Sequence, residues 1–282
     1  MKLKFTKMHG AGNDFILIDE FNKILIPEER KSNIAAKISN RHFGIGSDGV
    51  IFIRESEKEQ IKFSFYNPDG SAAEMCGNGI RCFAKYVYEK GILKNEIKNK
   101  KINVETLAGT IIPELTVENG IVKLVKVDMG APAVEFINKE IKINENSYRI
   151  TSISMGNPHA VLFYENVDGV DVVKIGREIR NHLTVFPKGT NIHFVEKTDK
   201  NEFKIRTYER GVEDETLACG TGICASAVAS ALNNKVANKF GEILFHAKGG
   251  DIKILLEFEE RKITKVYLIG NAEYVFEGEI EV

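Results

Sequence analysis

Several things are scarce in this sequence, and each scarcity excludes something. No apolar run approaches the length of a membrane-spanning helix, and the N-terminal Met-Lys-Leu-Lys-Phe-Thr-Lys is too interrupted by lysine to hold a signal-peptide core. With nothing to export it, the chain is expected in the cytoplasm. Net charge is nearly absent, 39 Lys and Arg against 40 Asp and Glu, which removes the electrostatic case for nucleic acid or an anionic membrane as partner. There are only six prolines, and no Pro-rich linker or low-complexity segment. The four cysteines, Cys76, Cys82, Cys219 and Cys224, lack the C-x-x-C spacing of a zinc or thioredoxin-like site, so no metal is expected and free thiols are the default. What is present is an ordinary globular composition, 282 residues with 43% hydrophobic and 28% charged, for which length suggests two domains.

The chain carries one short sequence twice. Cys76-Gly77-Asn78-Gly79-Ile80 and Cys219-Gly220-Thr221-Gly222-Ile223 share the pattern Cys-Gly-x-Gly-Ile, 219 − 76 = 143 residues apart, about half the chain. Other matches keep nearly the same offset. Gly46-Ser47-Asp48 meets Gly189-Thr190-Asn191 at 143, and Gly12-Asn13-Asp14-Phe15 meets Gly156-Asn157-Pro158-His159 at 144. Phe65-Tyr66-Asn67 and Thr207-Tyr208-Glu209 precede the two cysteines by similar distances. The order is that of an internal duplication.

Apolar periodicity places a helix after each repeat, through Ile80, Phe83, Ala84 and Val87 in one and Ile223, Ala227, Val228 and Ala231 in the other. Each of Cys76 and Cys219 then stands at a helix N-terminus, where unpaired N–H groups and the macrodipole favour a thiolate or a bound carboxylate. Cys82 and Cys224 fall one to two turns inside and read as small buried hydrophobes. Elsewhere, strands are expected at 3–8, 15–19, 50–54, 61–66, 102–107, 111–117 and 121–128, and in the second half at 141–150, 160–164, 192–195 and 203–208. Three more follow between 242 and 269, and a last one spans 273–282. Further helices are expected after Pro27 and over 172–181. The fold class is α+β, two pseudo-symmetric domains of similar fold, each a strand-rich sheet wrapped around a central helix. The change of half is placed near 118, giving 1–118 and 119–270.

Two glycine-flanked helix ends with a thiol each suit a carboxylate held between them in a shared cleft. One sulfur would remove a proton α to that carboxylate and the other would supply one on the opposite face, with inversion at carbon. Two such sulfurs couple, and the pair rests as one thiolate and one thiol. Packing or a phosphate-binding nest is the competing explanation of a single Cys-Gly-x-Gly. Asn13, Asn67, Asn157 and Asn191 lie in or beside turns, where Asn is common for backbone reasons, and His159 could cap a turn. Glu209-Arg210 could be a solvated pair. A proline-racemase-like enzyme, a thiol redox protein pairing Cys76 with Cys219, and an amino-acid binder remain as alternatives.

The stretches Met8-His-Gly-Ala-Gly-Asn-Asp-Phe15, Asn67-Pro-Asp-Gly-Ser71 with Cys76-Gly-Asn-Gly-Ile-Arg81, Gly156-Asn-Pro-His159, Gly189-Thr-Asn191 and Glu209 through Gly222 resemble the diaminopimelate epimerases, over essentially the whole chain. The resemblance implies a cofactor-independent isomerase that interconverts LL- and meso-diaminopimelate, on the way to lysine and peptidoglycan. It implies Cys76 and Cys219 as the acid and base, and the amides of Gly77, Asn78, Gly220 and Thr221 as the cradle of the reacting carboxylate. Asn13, Asn67, Asn157, Asn191 and Arg210 would bind substrate, Arg210 through the distal carboxylate. Glu209 and His159 would form a polar pair beside the cysteines. The resemblance also returns 271–282 to the first half. The expected partner is a small-molecule substrate, with the chain acting alone or as a homodimer. Two departures stand out: Gly49 occupies a place where some members have Gln, and the loop from Gly211 to Glu215 is one residue longer than in some.

Overall fold

In the computed structural model, which describes residues 1–93 and 96–282, the chain divides into two units, Met1–Val127 with Gly270–Val282, and Asp128–Ile269. The first unit runs β1 (Lys2–Gly10), β2 (Asn13–Glu20), α1 (Glu28–Ser39), β3 (Gly49–Arg54), β4 (Ile61–Tyr66), β5 (Ala72–Ala73) and α2 (Gly77–Glu89). Then come β6 (Val104–Thr106), β7 (Gly109–Ile111) and a hairpin of β8 (Glu114–Glu118) with β9 (Ile121–Asp128). In the second unit β10 (Ala133–Ile143), β11 (Asn146–Ser154), β12 (Pro158–Tyr164), α3 (Val172–Arg180), β13 (Asn191–Asp199), β14 (Glu202–Glu209) and β15 (Asp214–Thr216) lead to α4 (Gly220–Leu232). Three strands follow, β16 (Ile243–Ala247), β17 (Gly250–Glu259) and β18 (Lys262–Gly270), and the chain ends with β19 (Glu273–Glu281) in the first unit.

The two sheets share one plan. The order β19-β1-β2-β3-β4-β6-β7, with β5 on β4, matches β10-β11-β12-β13-β14-β16-β17, with β15 on β14. Pair by pair the directions agree as well: β2/β3 and β12/β13 are parallel, as are β4/β6 and β14/β16, and the other matched pairs are antiparallel. Pseudo-symmetry is therefore a property of strand order and direction and not only of the repeated cysteines.

Period-two alternation decides which helix each strand residue meets. In the first unit Ile16, Ile18, Val50, Phe52 and Tyr66 pack with Ile34, Ala35 and Ile38 of α1. Their neighbours Ile51, Phe63 and Phe65 take the other face, where Phe63 lies edge-on to Phe83 of α2. In the second unit Ala160, Leu162, Ile192, Phe194 and Tyr208 pack with Val172 and Ile179 of α3. The alternate residues of those strands face α4.

Both central helices are enclosed rather than one-sided, with eleven of thirteen residues buried in α2 and ten of thirteen in α4. Helix α4 manages this with small residues, Ala225, Ala227, Ala229 and Ala231 alternating with Ser226 and Ser230. Helix α2 instead buries Arg81 and Lys85. Arg81 Nη1 donates to Gly77 O at 3.1 Å and Asn78 Oδ1 at 2.8 Å, its Nε donates to Asn271 O at 3.0 Å, and Lys85 pairs with Glu273 at 3.5 Å. Such partners are what a buried cation requires.

Two expected strands turn out differently. The strand expected over 141–150 is two strands, β10 and β11, hinged at Asn144 with φ +54°, a conformation Asn adopts more readily than most residues. The strand expected over 111–117 is interrupted before β8 at Pro113, which has no N–H to give a ladder.

Candidate active site

Each Cys-Gly-x-Gly segment places its cysteine at the N-cap of a central helix, Cys76 with φ −137° and ψ 120°, Cys219 with φ −115° and ψ 107°. The extended cap residue precedes a first turn whose N–H groups have no intrahelical partner, so each end can receive an anion. The first-turn residues include Gly77 and Asn78 in α2 and Gly220 and Thr221 in α4. Cys76 is partly exposed, Cys219 is buried, and the inner Cys82 and Cys224 are fully buried. Burial pushes the Cys82 thiol up to about 12, so it stays protonated.

In the first unit Asn13 reaches the helix end. Its Oδ1 accepts from Asn78 Nδ2 at 3.2 Å and lies 3.7 Å from Cys76 Sγ, while its Nδ2 donates to Asp48 Oδ2 at 2.6 Å. A carboxylate can only accept, so Asp48 fixes which end of the Asn13 amide faces the cysteine. Asp48 is held by Arg41, which also pairs with Asp14 at 2.7 Å. Burial alone would raise the Asp14 carboxyl, but Arg41 and Lys7 outweigh it and hold it at about 2. Asn67 belongs to the turn after β4, where its Nδ2 donates to Ser71 Oγ at 3.0 Å. The structure thus groups Asn13, Cys76, Gly77 and Asn78, with Asn67 ordered separately by its own turn.

In the second unit the corresponding amide is Asn157, and its hydrogen bonds run the other way. Asn157 Nδ2 donates to Thr221 Oγ1 at 3.4 Å, Thr221 Oγ1 lies 3.6 Å from Cys219 Sγ, and Asn157 Oδ1 sits 2.9 Å from His159 Nε2. His159 is fully buried in β12 and caps no turn. Its Nδ1 is 2.9 Å from His193 Nε2, and His193 Nδ1 is 2.9 Å from Thr207 Oγ1. Burial, then the proximity of His193 and Arg210, holds His159 well below the ordinary imidazole range, and burial brings His193 down to about 3. Both rings are neutral at pH 7.

Asn191, at the start of β13, clamps backbone on either side, with Nδ2 donating to Pro158 O and Oδ1 accepting from Arg210 N, both at 2.9 Å. Its amide keeps one N–H hydrogen for a ligand. Arg210 is half-buried, with Nη1 donating to Lys188 O at 3.1 Å. Glu209 accepts from Thr216 Oγ1 at 2.8 Å. The loop after them is shaped by Gly211 and Glu213, both at positive φ, and Glu213 accepts from Gly211 N and Tyr208 OH. The structure therefore groups Asn157, His159, Asn191, Arg210, Cys219, Gly220 and Thr221, with Glu209 on the adjoining strand end.

Strand register refines the sequence offset. Gly49 stands opposite Phe15 as Asn191 stands opposite His159, so Gly49 and not Asp48 is the counterpart of Asn191. A side chain at Gly49 would collide with the Phe65 ring, so this place carries no counterpart of the Asn191 amide. Neither His193 nor Thr207 is among the site residues expected from the sequence, Thr207 entering there only as part of a repeat match. The available signal was His193 itself, a polar residue inside Ile192-His193-Phe194-Val195 and two residues after Asn191, hence on the same face. Among the described residues no group of three His, Cys, Asp or Glu is placed to hold a metal ion, and no helix is long and apolar enough to cross a membrane.

Against known proteins, the model of the family described as diaminopimelate epimerase matches residues 5–135 and 151–275. The diaminopimelate epimerase of Pelotomaculum thermopropionicum is 44% identical over 98% of both chains, and that of Methanococcus maripaludis is 44% identical over 99% of this chain and all of its own. Among solved structures, a phenazine biosynthesis protein of Bacillus anthracis superposes with a TM-score of 0.76 at 18% identity, covering 100% of both chains. A hydroxyproline epimerase of Agrobacterium vitis superposes with a TM-score of 0.73 at 13% identity, covering 99% of this chain and 92% of its own. At those identities the likeness is one of fold, whereas the sequence matches span nearly the whole chain. The chain belongs to the diaminopimelate epimerase family.

Proposed function

We propose that this chain is an isomerase that inverts one α-carbon of diaminopimelate, LL to meso and back, with Cys76 and Cys219 as the acid and base and no cofactor. The observation that carries the reading is the pairing of family membership with two cysteines at equivalent helix caps of two equivalent sheets. The two helix ends would hold the reacting carboxylate through the amides of Gly77, Asn78, Gly220 and Thr221, favouring the negative charge that builds as the α-proton leaves. One thiolate takes that proton and the opposite thiol returns another, so inversion needs no rotation of the substrate. Arg210 would grip the distal carboxylate with its planar fork, and Asn13, Asn67, Asn157 and Asn191 would fix the polar groups between. Glu209 and His159 would serve as the supporting polar pair, His159 from behind Asn157.

Such an enzyme supplies meso-diaminopimelate for lysine and peptidoglycan precursors, and a cytoplasmic place fits that role. The chemistry is the same for a monomer and for a homodimer. Incubation of the purified chain with LL-diaminopimelate, followed by chiral separation, tests the reading. Formation of the meso isomer without added pyridoxal phosphate, and unaffected by dialysis against a chelator, supports it. No conversion, or activity lost on chelation and regained with metal, would overturn it.

A further inference from the structure

The hydrogen bonds behind Cys219 form one unbroken line, and its direction is determined by its ends. Both imidazoles are neutral, so each has one N–H and one bare nitrogen. The Asn157 oxygen faces His159 Nε2, so that nitrogen carries the hydrogen and His159 Nδ1 is bare. His193 Nε2 must then donate to it, which leaves His193 Nδ1 bare to accept from the Thr207 hydroxyl. Every donor in the line, Thr207 to His193 to His159 to Asn157 to Thr221, points toward the start of α4. Reversing any link would turn the Asn157 amide around, and its oxygen rather than its N–H would face the helix end.

We propose that His193 is a positioning residue: by donating to His159 it selects the His159 tautomer and thereby keeps the Asn157 N–H groups turned toward the Cys219 helix end. This rests on the reading of that end as half of an epimerase site. Packing alone does not ask for histidine here. In the first unit the matching place is Ile51, which touches Gly79 as His193 touches Gly222, and the same strand pairing forms around it. The neighbours differ in kind too, Phe15 and Phe65 standing where His159 and Thr207 stand. Moreover, Gly222 has no Cβ where the His193 ring lies, and any side chain there would collide with that ring. What a carboxylate would meet at Asn157 thus depends on a residue that need not touch it.

The test uses the full chain labelled with 15N-histidine, in three forms: unchanged, His193→Ile, which copies the first unit, and His193→Gln, whose amide can donate to His159 and accept from Thr207. Nitrogen shifts should show His159 with hydrogen on Nε2 in the unchanged and Gln forms, and a loss of that fixed tautomer in the Ile form. With LL-diaminopimelate, kcat/KM should fall about tenfold or more in the Ile form and return to within a few-fold in the Gln form, since small misplacements of a binding group are costly. A folded Ile form with the unchanged tautomer and unchanged kcat/KM would overturn the proposal, as would a Gln form that carries the hydrogen on His159 Nδ1. If the Ile form does not fold, the Gln form decides. Should the unchanged chain fail to epimerise, the functional reading falls, while the nitrogen shifts still decide the role of His193.

Discussion

Beneath α2 the sheet presents Phe15, Ile51 and Phe65; at the same three places beneath α4 it presents His159, His193 and Thr207. The strand plan is the same, so the fold accepts either an apolar or a hydrogen-bonded layer under a Cys-Gly-x-Gly helix. The consequence appears at the asparagines. Asn13, steered by Asp48, turns its oxygen to the helix that begins at Cys76, and Asn157, steered by His159, turns its nitrogen to the helix that begins at Cys219. An oxygen there accepts from a thiol, whereas donors favour a thiolate. An exact two-fold would give both sulfurs the same environment, and the two asparagines break that equivalence.

The largest expected effect removes the sulfurs themselves. Cys76→Ala and Cys219→Ala should each lower epimerisation by about 10²- to 10⁴-fold, the usual contribution of a positioned acid or base. The surviving thiol can still exchange the α-proton of the isomer it faces. In heavy water the two variants should therefore exchange opposite stereoisomers of diaminopimelate. Exchange of the same isomer by both would contradict the two-base reading and leave the repeated motif as a carboxylate cradle.

Next comes the cation that only one half carries. The strand end Glu209-Arg210 occupies the place of Asn67-Pro68, as the pairing of Tyr208 and Tyr66 on their neighbours shows. Arg210→Lys replaces a planar fork by a point charge and should cost about 1.5 to 3 kcal/mol, or roughly ten- to over a hundred-fold in kcat/KM. Unchanged kinetics would move Arg210 out of the site.

A third comparison concerns stability at the two second glycines. A Cβ at Gly79 would meet Cys76, Ile51 and Phe63 at 3.4 Å, ordinary contact, and alanine is the better helix former by about 0.8 to 1 kcal/mol. At Gly222 the added methyl runs into His193. Gly222→Ala should then destabilise by about 1 to 3 kcal/mol, as overpacking does, while Gly79→Ala stays within about 1 kcal/mol of the parent. Equal denaturation midpoints would mean that the His193 ring yields easily, and would weaken the contrast between the layers.

Much of this was legible in advance because it rests on local signals. Glycine pairs, turn residues and apolar periods located both cysteine helices, α1, α3 and most strands, since those signals lie within a few residues of what they specify. The misses have non-local causes. The β10/β11 turn at Asn144 is bracketed by Ile141, Ile143, Tyr148 and Ile150, which read as one alternating strand unless the Asn is given a positive φ. That Gly49 answers to Asn191, one residue off the 143 offset, depends on inter-strand register. Arg81 and Lys85 look like the solvated side of an amphipathic helix, and only the return of the chain at Asn271 and Glu273 buries them. His193 acquires meaning only once His159 and Thr207 come to flank it from two other strands.

The smallest expected effect is acid sensitivity, and it should separate the halves by pH. In the second unit His193 falls from 6.5 when free to about 3 in the fold, and His159 is lowered in the same sense. A depressed pKa means that the unfolded chain binds the proton first. The stability it represents is complete above about 6.5 and drains away as pH falls toward about 3, at up to about 1.4 kcal/mol per pH unit for each group. In the first unit Asp14 falls from 3.8 to about 2, so its contribution begins to drain only below about 4. Lowering the pH from 7 to ~5.5 should therefore cost the second unit about 1.2 kcal/mol through His193 alone and the first unit almost nothing through Asp14. Amide hydrogen exchange in α4 and α2 at the two pH values, corrected for intrinsic rates, measures this directly. Protection should fall in α4 while α2 holds, and His193→Gln should remove part of the fall. Equal loss in both helices would show that the buried imidazoles are not what distinguishes the halves in acid.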